Sequence, residues 1–238
     1  MCIVSKSKFF LAFSVCVNFI LCGVAYADGM EPETTVIVLN ESDGEASINV
    51  KNTDVGPALL HSAIEDAPED LEPLVVVTPP VARVDGGQLQ MVRFMLIGKE
   101  PLKTQRLKRV TFEGIPQTQP GSGATIGISL RQNLPLILHP KGLPQHNAPW
   151  ELLTWRLQGK TLSVHNDSPY VVRLAAEVQL NPQKAKAYLS RTYILPGEVL
   201  SAEFSSAHPD ATSVTIMPAT VYGFTVDNYD ALLLANMP

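Results

Sequence analysis

Cysteine is nearly absent from this 238-residue chain: Cys2, Cys16 and Cys22 are the only three, and all precede residue 28. From residue 28 onward there is no thiol, which excludes disulfide staples and thiol chemistry there. No catalytic signature is present either. His61, His139, His146, His165 and His208 are scattered, with no pair at metal-ligand spacing. Gly121-Ser122-Gly123 lacks the spacing of a nucleophile elbow. No glycine-rich phosphate loop leads into a helix, and no long amphipathic helical stretch is visible. These absences argue for a non-enzymatic chain with no cofactor and no metal. Positive charge is also scarce, with 18 Lys and Arg against 23 Asp and Glu. The first 27 residues hold two of the lysines and no acid, so the other 211 carry 16 minus 23, or −7. That balance disfavours nucleic acid and anionic membranes as partners.

The N-terminus reads as an address. Lys6 and Lys8 precede an apolar run, and Ala25-Tyr26-Ala27 is a small-x-small cleavage signal. Export with cleavage after Ala27 is expected. The run is short of the roughly 20 residues a spanning helix needs. Leu21 precedes Cys22 where a lipoprotein signal wants a small residue. No stable membrane anchoring is therefore expected.

Beyond residue 27 the chain is patterned for strands. Residues 35–39, 46–50, 58–65, 74–78, 89–96 and 107–112 are β-branched or alternating, with turn residues between them. The acidic stretch 66–73 reads as a solvated tip, and 116–123 as a flexible loop. In 126–140, apolar side chains fall at 126, 128, 130, 134, 136 and 138, a spacing of two broken only at Gln132. That period puts them on one face of a strand. The stretch exceeds the usual 5–6 residues, and Pro135 is confined to edges or bulges. Two readings stand: an edge strand that adds to a partner, or a sandwich strand packed on its own core.

Residues 141–149, with Gly142, Pro144 and Pro149, read as a linker. Beyond it, 161–164, 170–180 and 193–195 read as strands, 185–192 has room for a short helix, and 214–216 with 221–226 suggests a closing hairpin. Residues 232–238 form an apolar tail. Asn166-Asp167-Ser168-Pro169 is a turn cluster. Both Asn40-Glu41-Ser42 and Asn166-Asp167-Ser168 fit the glycosylation triplet, a pattern that chance often produces. The expected fold class is all-β, built of sandwiches. The divisions are 1–27 signal peptide, 28–140 first domain, 141–149 linker and 150–238 second domain.

In order along the chain stand Thr78-Pro79-Pro80-Val81-Ala82-Arg83-Val84, Gly87, Met91-Val92-Arg93-Phe94 and Phe112-Glu113-Gly114-Ile115-Pro116. Next come the 126–140 strand with its closing proline, Asn166-Asp167-Ser168-Pro169-Tyr170 and Leu195-Pro196-Gly197. This series resembles the periplasmic pilus-assembly chaperones of the PapD-like family. The resemblance implies two immunoglobulin-like sandwiches at an angle. It implies capture of pilin subunits in the periplasm by donor-strand complementation, and delivery to an outer-membrane usher. By position, Ile126, Ile128 and Leu130 would enter the subunit's groove. Leu134 and Leu136 either continue that contact or join the domain's own sheet, the second being favoured.

The likeness departs at the family's two basic anchors for the subunit's C-terminal carboxylate. Those positions fall at Val36 and Pro135, and His139 replaces the arginine before the last proline. Arg83, Arg93, Arg131 and His139 are the candidates for carboxylate or interdomain contacts. The competing readings are a pilin-like or adhesin-like surface protein and a chaperone-like protein with another exported client.

Overall fold

A computed structural model describes residues 29–116, 130–220, 224 and 226–234. Its first half is built of β1 (Met30–Pro32), β2 (Ile37–Asn40), β3 (Glu45–Asn52), β4 (Ala58–Asp66), β5 (Val75–Thr78), β6 (Val81–Val84), β7 (Leu89–Leu96), β8 (Arg106–Pro116) and β9 (Arg131–His139). They form two sheets, ordered β1-β3-β7-β5 and β2-β9-β8-β4-β6. The alternating apolar residues of each sheet meet between them. Ile48, Val50, Val92 and Phe94 come from one sheet, and Leu60, Val110, Phe112, Leu134, Leu136 and Leu138 from the other. Phe94 and Phe112 pack edge to face across this core, 6.5 Å apart. Thr78-Pro79-Pro80 stands where the chain leaves β5 in one sheet for β6 in the other. Proline has no N–H for a ladder, which suits a crossing point. Gly87, at φ +75, makes the turn expected at Asp85-Gly86-Gly87.

The second half comprises β10 (Thr154–Gln158), β11 (Thr161–His165), β12 (Val172–Leu174), β13 (Glu177–Asn181), β14 (Ala185–Tyr188), β15 (Tyr193–Ile194), β16 (Val199–Glu203), β17 (Ser213–Ile216), β18 (Pro218–Ala219) and β19 (Tyr229–Leu234). One sheet runs β14-β13-β17-β19-β10-β11-β16, the other β15-β12-β18. Fully buried Trp155 anchors their shared core.

Three expectations are corrected here. The strand read over 170–180 is two strands, because the chain passes from one sheet to the other at Ala175 and Ala176. The ambiguous 185–192 starts with a strand, β14, and not a helix. The neighbours of β17 are β13 and β19, so part of the supposed tail is a central strand. Residues 221–223 and 225 lie outside the described residues. Asn166 is fully buried, its amide donating to the carbonyls of Tyr170 and Ile194, which makes it the organiser of its turn.

The acidic stretch after β4 is not a free tip either. Lys108 is fully buried, and its ammonium donates to Asp66 Oδ1 at 2.7 Å, to the Asp70 carbonyl at 2.7 Å and to the Glu72 carbonyl at 2.6 Å. Arg106 holds Asp70 and Glu72 from alongside. A charge this deep must be paired, so the loop folds down to pair it.

The domains meet over Val36, Leu107, Ile137 and Val171, with Val38, Tyr193 and Leu195 at the margin. This explains a feature of β9 that a period of two does not. From Leu134 to His139 every residue is buried. Leu134, Leu136 and Leu138 face their own core, and Ile137 faces the second domain.

Candidate functional site

The site grows from the unequal pairing of β9. On one side β8 accompanies it from Arg131 to Leu138, antiparallel. On the other side β2 runs parallel, and pairs only from Leu136 to His139. Among the described residues, the stretch from Arg131 to Pro135 therefore has one unpaired edge, with backbone groups available to another strand. Leu130, at the head of this edge, is 52% exposed. Along with Met30, Lys51, Val55 and Gln132 it lines an open groove. Ile126 and Ile128 lie outside the described residues. Leu134 and Leu136 are buried in their own domain's core, which removes them from a partner-facing set.

The cationic candidates separate clearly. Arg83 pairs with Asp85 in an exposed turn at 3.1 Å. Arg93 pairs with Glu45 at 2.9 Å on the opposite sheet from β9. Arg131 pairs with Glu65. Each is neutralised on the surface of the first domain. His139 lies between the domains and is bonded to Gln105 and to Leu143.

Two arginines that sequence reasoning passed over stand in the cleft. On β8, Val110 and Phe112 face the core while Leu107 faces the second domain. Arg109 shares Leu107's face by the period of two. It sits directly across from Pro135, one of the two positions where the anchor was expected. Its guanidinium donates to the side chain and carbonyl of Asn133, at 2.5 and 2.8 Å. On β12, Val172 and Leu174 enter the second core, so Arg173 between them points the other way. Its strand neighbour is Tyr193, which packs at the joint. Arg173 Nη1 is buried with no hydrogen-bond partner among the described residues.

Among the described residues, neither Arg109 nor Arg173 forms an ion pair with a carboxylate. Burial holds both guanidiniums below their ordinary value; Tyr193 and Glu65 partly offset this at Arg109, whereas Arg109 lowers Arg173 further by repulsion. The other expected anchor position, Val36, is part of the apolar joint. A sequence signal for this existed. Lys108 and Arg109 are successive cations in a strand, so they must lie on opposite faces. Among the described residues no group of His, Cys, Asp and Glu is arranged to hold a metal ion.

Known proteins with this architecture identify it. Residues 29–144 match the profile described as "Pili and flagellar-assembly chaperone, PapD N-terminal domain". Residues 148–229 match the "Pili assembly chaperone PapD, C-terminal domain". The chain belongs to the PapD-like pilus-assembly chaperones. An uncharacterized fimbrial chaperone of Escherichia coli K12, YhcA, is 41% identical to this chaperone over 204 residues, 85% of this chain and 90% of that one. The Klebsiella pneumoniae chaperone protein MrkB is 24% identical over 220 residues, 87% and 93% of the two chains. The fold is shared with a chain in the structure of the Salmonella enterica SafA pilin in complex with the SafB chaperone. There the TM-score is 0.71 at 20% identity, with 88% and 99% of the chains covered.

Proposed function

We propose that this chaperone is exported to the periplasm after cleavage behind Ala27, and captures pilin subunits by donating the edge strand that continues β9. It then delivers them to an outer-membrane usher. The observation that carries this is the one-sided pairing of Arg131 to Pro135, with exposed Leu130 at its head. A subunit strand adds to the free edge, and Ile126, Ile128 and Leu130 fill its pockets. Each such side chain stabilises by roughly 1.5–3 kcal/mol when fully buried, so three contribute roughly 5–9 before ordering costs. Arg109 and Arg173 take the place of the two missing anchors, and hold the subunit's terminal carboxylate between the domains.

Co-expression in the periplasm with pilin-like subunits tests the reading. A one-to-one complex is expected, seen by native mass spectrometry with the chaperone's mass starting at Asp28. Ile128→Asp abolishes the complex while leaving the chaperone folded. A subunit that still co-purifies with that variant rules out strand donation.

A further inference from the structure

Between the domains runs a chain of hydrogen bonds that admits one proton assignment. The Leu143 carbonyl only accepts, so His139 Nε2, 2.9 Å away, carries a proton. In the neutral ring Nδ1 is then the acceptor, and it takes an N–H from Gln105 Nε2 at 2.9 Å. Gln105 Oε1 accepts the Val171 N–H at 2.8 Å, which fixes the amide's orientation. The Gln105 backbone N–H donates to the Pro169 carbonyl, also at 2.8 Å. The relay thus ties the end of β9, the entry to β8, the linker and the second domain. The His139 ring is only 9% exposed.

A proton on Nδ1 spoils this pattern. Nδ1–H and the Gln105 N–H would then face each other as two donors. Turning the amide over restores that bond, but sets its NH₂ against the Val171 N–H, again donor against donor. One bond is lost in either orientation, at a buried point where an unmatched donor is costly.

The charges around the ring do not offset this. Glu41 binds the His139 carbonyl through its backbone, but its carboxylate accepts the N–H groups of Leu102 and Lys141 at 2.9 and 2.7 Å. Lys141 adds a cation on the linker. His146, which lines the same small space, accepts the Ala148 N–H at 3.2 Å. The Tyr170 hydroxyl donates to the Pro144 carbonyl. Arg106, across from Leu138, is paired with Asp70 and Glu72.

We propose that Gln105 and His139 form a positioning relay that acts, beside the apolar joint and the bonds of Glu69 to Arg191 and Tyr193, to fix the angle of the two domains while the His139 ring is neutral, so that the joint loosens as pH falls. Histidine is the side chain whose charge changes between about pH 8 and 5. Neither residue need touch a ligand, since both act through the angle of the cleft.

The test uses the free chaperone, so its outcome is independent of subunit capture. ¹⁵N NMR of the ring at pH 7.5 is expected to show the proton on Nε2. Residual dipolar couplings are expected to show one domain orientation at pH 7.5 and a broadened one at pH 5. Gln105→Glu is the deciding variant. Its carboxylate accepts both the Val171 N–H and a protonated Nδ1–H, so its joint is tightest with the ring charged. From pH 7.5 to 5 the wild type's unfolding midpoint is expected to fall relative to this variant's, by on the order of 2–4 °C. A proton on Nδ1 in the neutral ring, or a variant that keeps the wild-type pH slope, overturns the proposal. Should the variant not fold, the wild-type tautomer and domain orientation decide alone.

Discussion

Lys108 and Arg109 are successive residues of one strand, and they illustrate two fates of a cation in a sheet covered on both sides. Lys108 turns inward, is fully buried, and is bonded by one carboxylate and two carbonyls, with Asp70 Oδ1 a further 3.2 Å away. Arg109 turns toward the cleft and is bonded to Asn133; among the described residues it makes no ion pair, although Glu65 across the sheet attracts it, and it repels Arg173 of the other domain. A buried charge whose partners are all internal is a structural device. A desolvated charge at the joint is held less completely, which suits it to the subunit carboxylate proposed above.

The largest way to break this contrast is at Lys108. Lys108→Met takes the ammonium from Asp66, leaves Asp70 to Arg106 alone and strands the Asp70 and Glu72 carbonyls. It is expected to cost about 3–5 kcal/mol of first-domain stability, read by urea unfolding. A loss under about 1 kcal/mol would mean that the cluster is solvated. Arg173→Ala is expected to behave in the opposite way. It relieves repulsion, so stability of the free protein holds or rises slightly. Subunit affinity drops by about ten- to hundred-fold, the worth of a charge-assisted hydrogen bond of about 1.5–3 kcal/mol. The drop should vanish for a subunit whose C-terminus is amidated, and a drop that persists there would assign Arg173 another role.

Acid titration sharpens the same contrast more gently. Burial pushes the Asp70 carboxyl up, but hydrogen bonds and charge from Arg106 and Lys108 outweigh it and hold the group below its ordinary value. A depressed carboxylate stabilises the fold above its unfolded value of about 3.9, and that stability is lost as pH falls through the folded value. The first domain's stability is therefore expected to decline below about pH 4, and Asp70→Asn to flatten that decline. An unchanged acid limb in the variant would remove Asp70 from the account. The smallest effect is reserved for an exposed pair. Arg93→Ala, which breaks only the half-exposed bond to Glu45, is expected to cost about 0.2–1 kcal/mol and to leave subunit affinity unchanged.

Much of this protein was legible before any coordinates. Period-two patterning located the strands at 46–50, 58–65 and 89–96 within a residue or two, because each has one face on a core and one in water. The expected edge character of the 126–140 strand matches the free edge from Arg131 to Pro135. Other segments misled for identifiable reasons. The acidic loop looked like a solvated tip because its counter-ion, Lys108, is 42 residues from Asp66 in sequence and invisible to local composition. Residues 232–234 read as tail because β19 is recruited by non-local pairing, antiparallel to β17 and parallel to β10. The cleft arginines were missed because the expected anchor positions, Val36 and Pro135, drew attention away from the strand next door.

The amino-acid sequence by itself determined the class and the family. Alternation, turn residues and the order of short motifs are local properties, and they suffice for an all-β chain of two sandwiches with a donor-like strand. Only the tertiary structure decided which charges are spent and which are free. Arg131 and Arg109 leave the sheet by the same side, and whether each is neutralised depends on how near it lies to Glu65 and on what the second domain sets against it. That is a matter of interactions between residues far apart in the chain, such as the repulsion between Arg109 and Arg173 and the bond from the Val171 N–H to Gln105. Such contacts exist only after the two domains have packed on one another through Val36, Leu107, Ile137 and Val171.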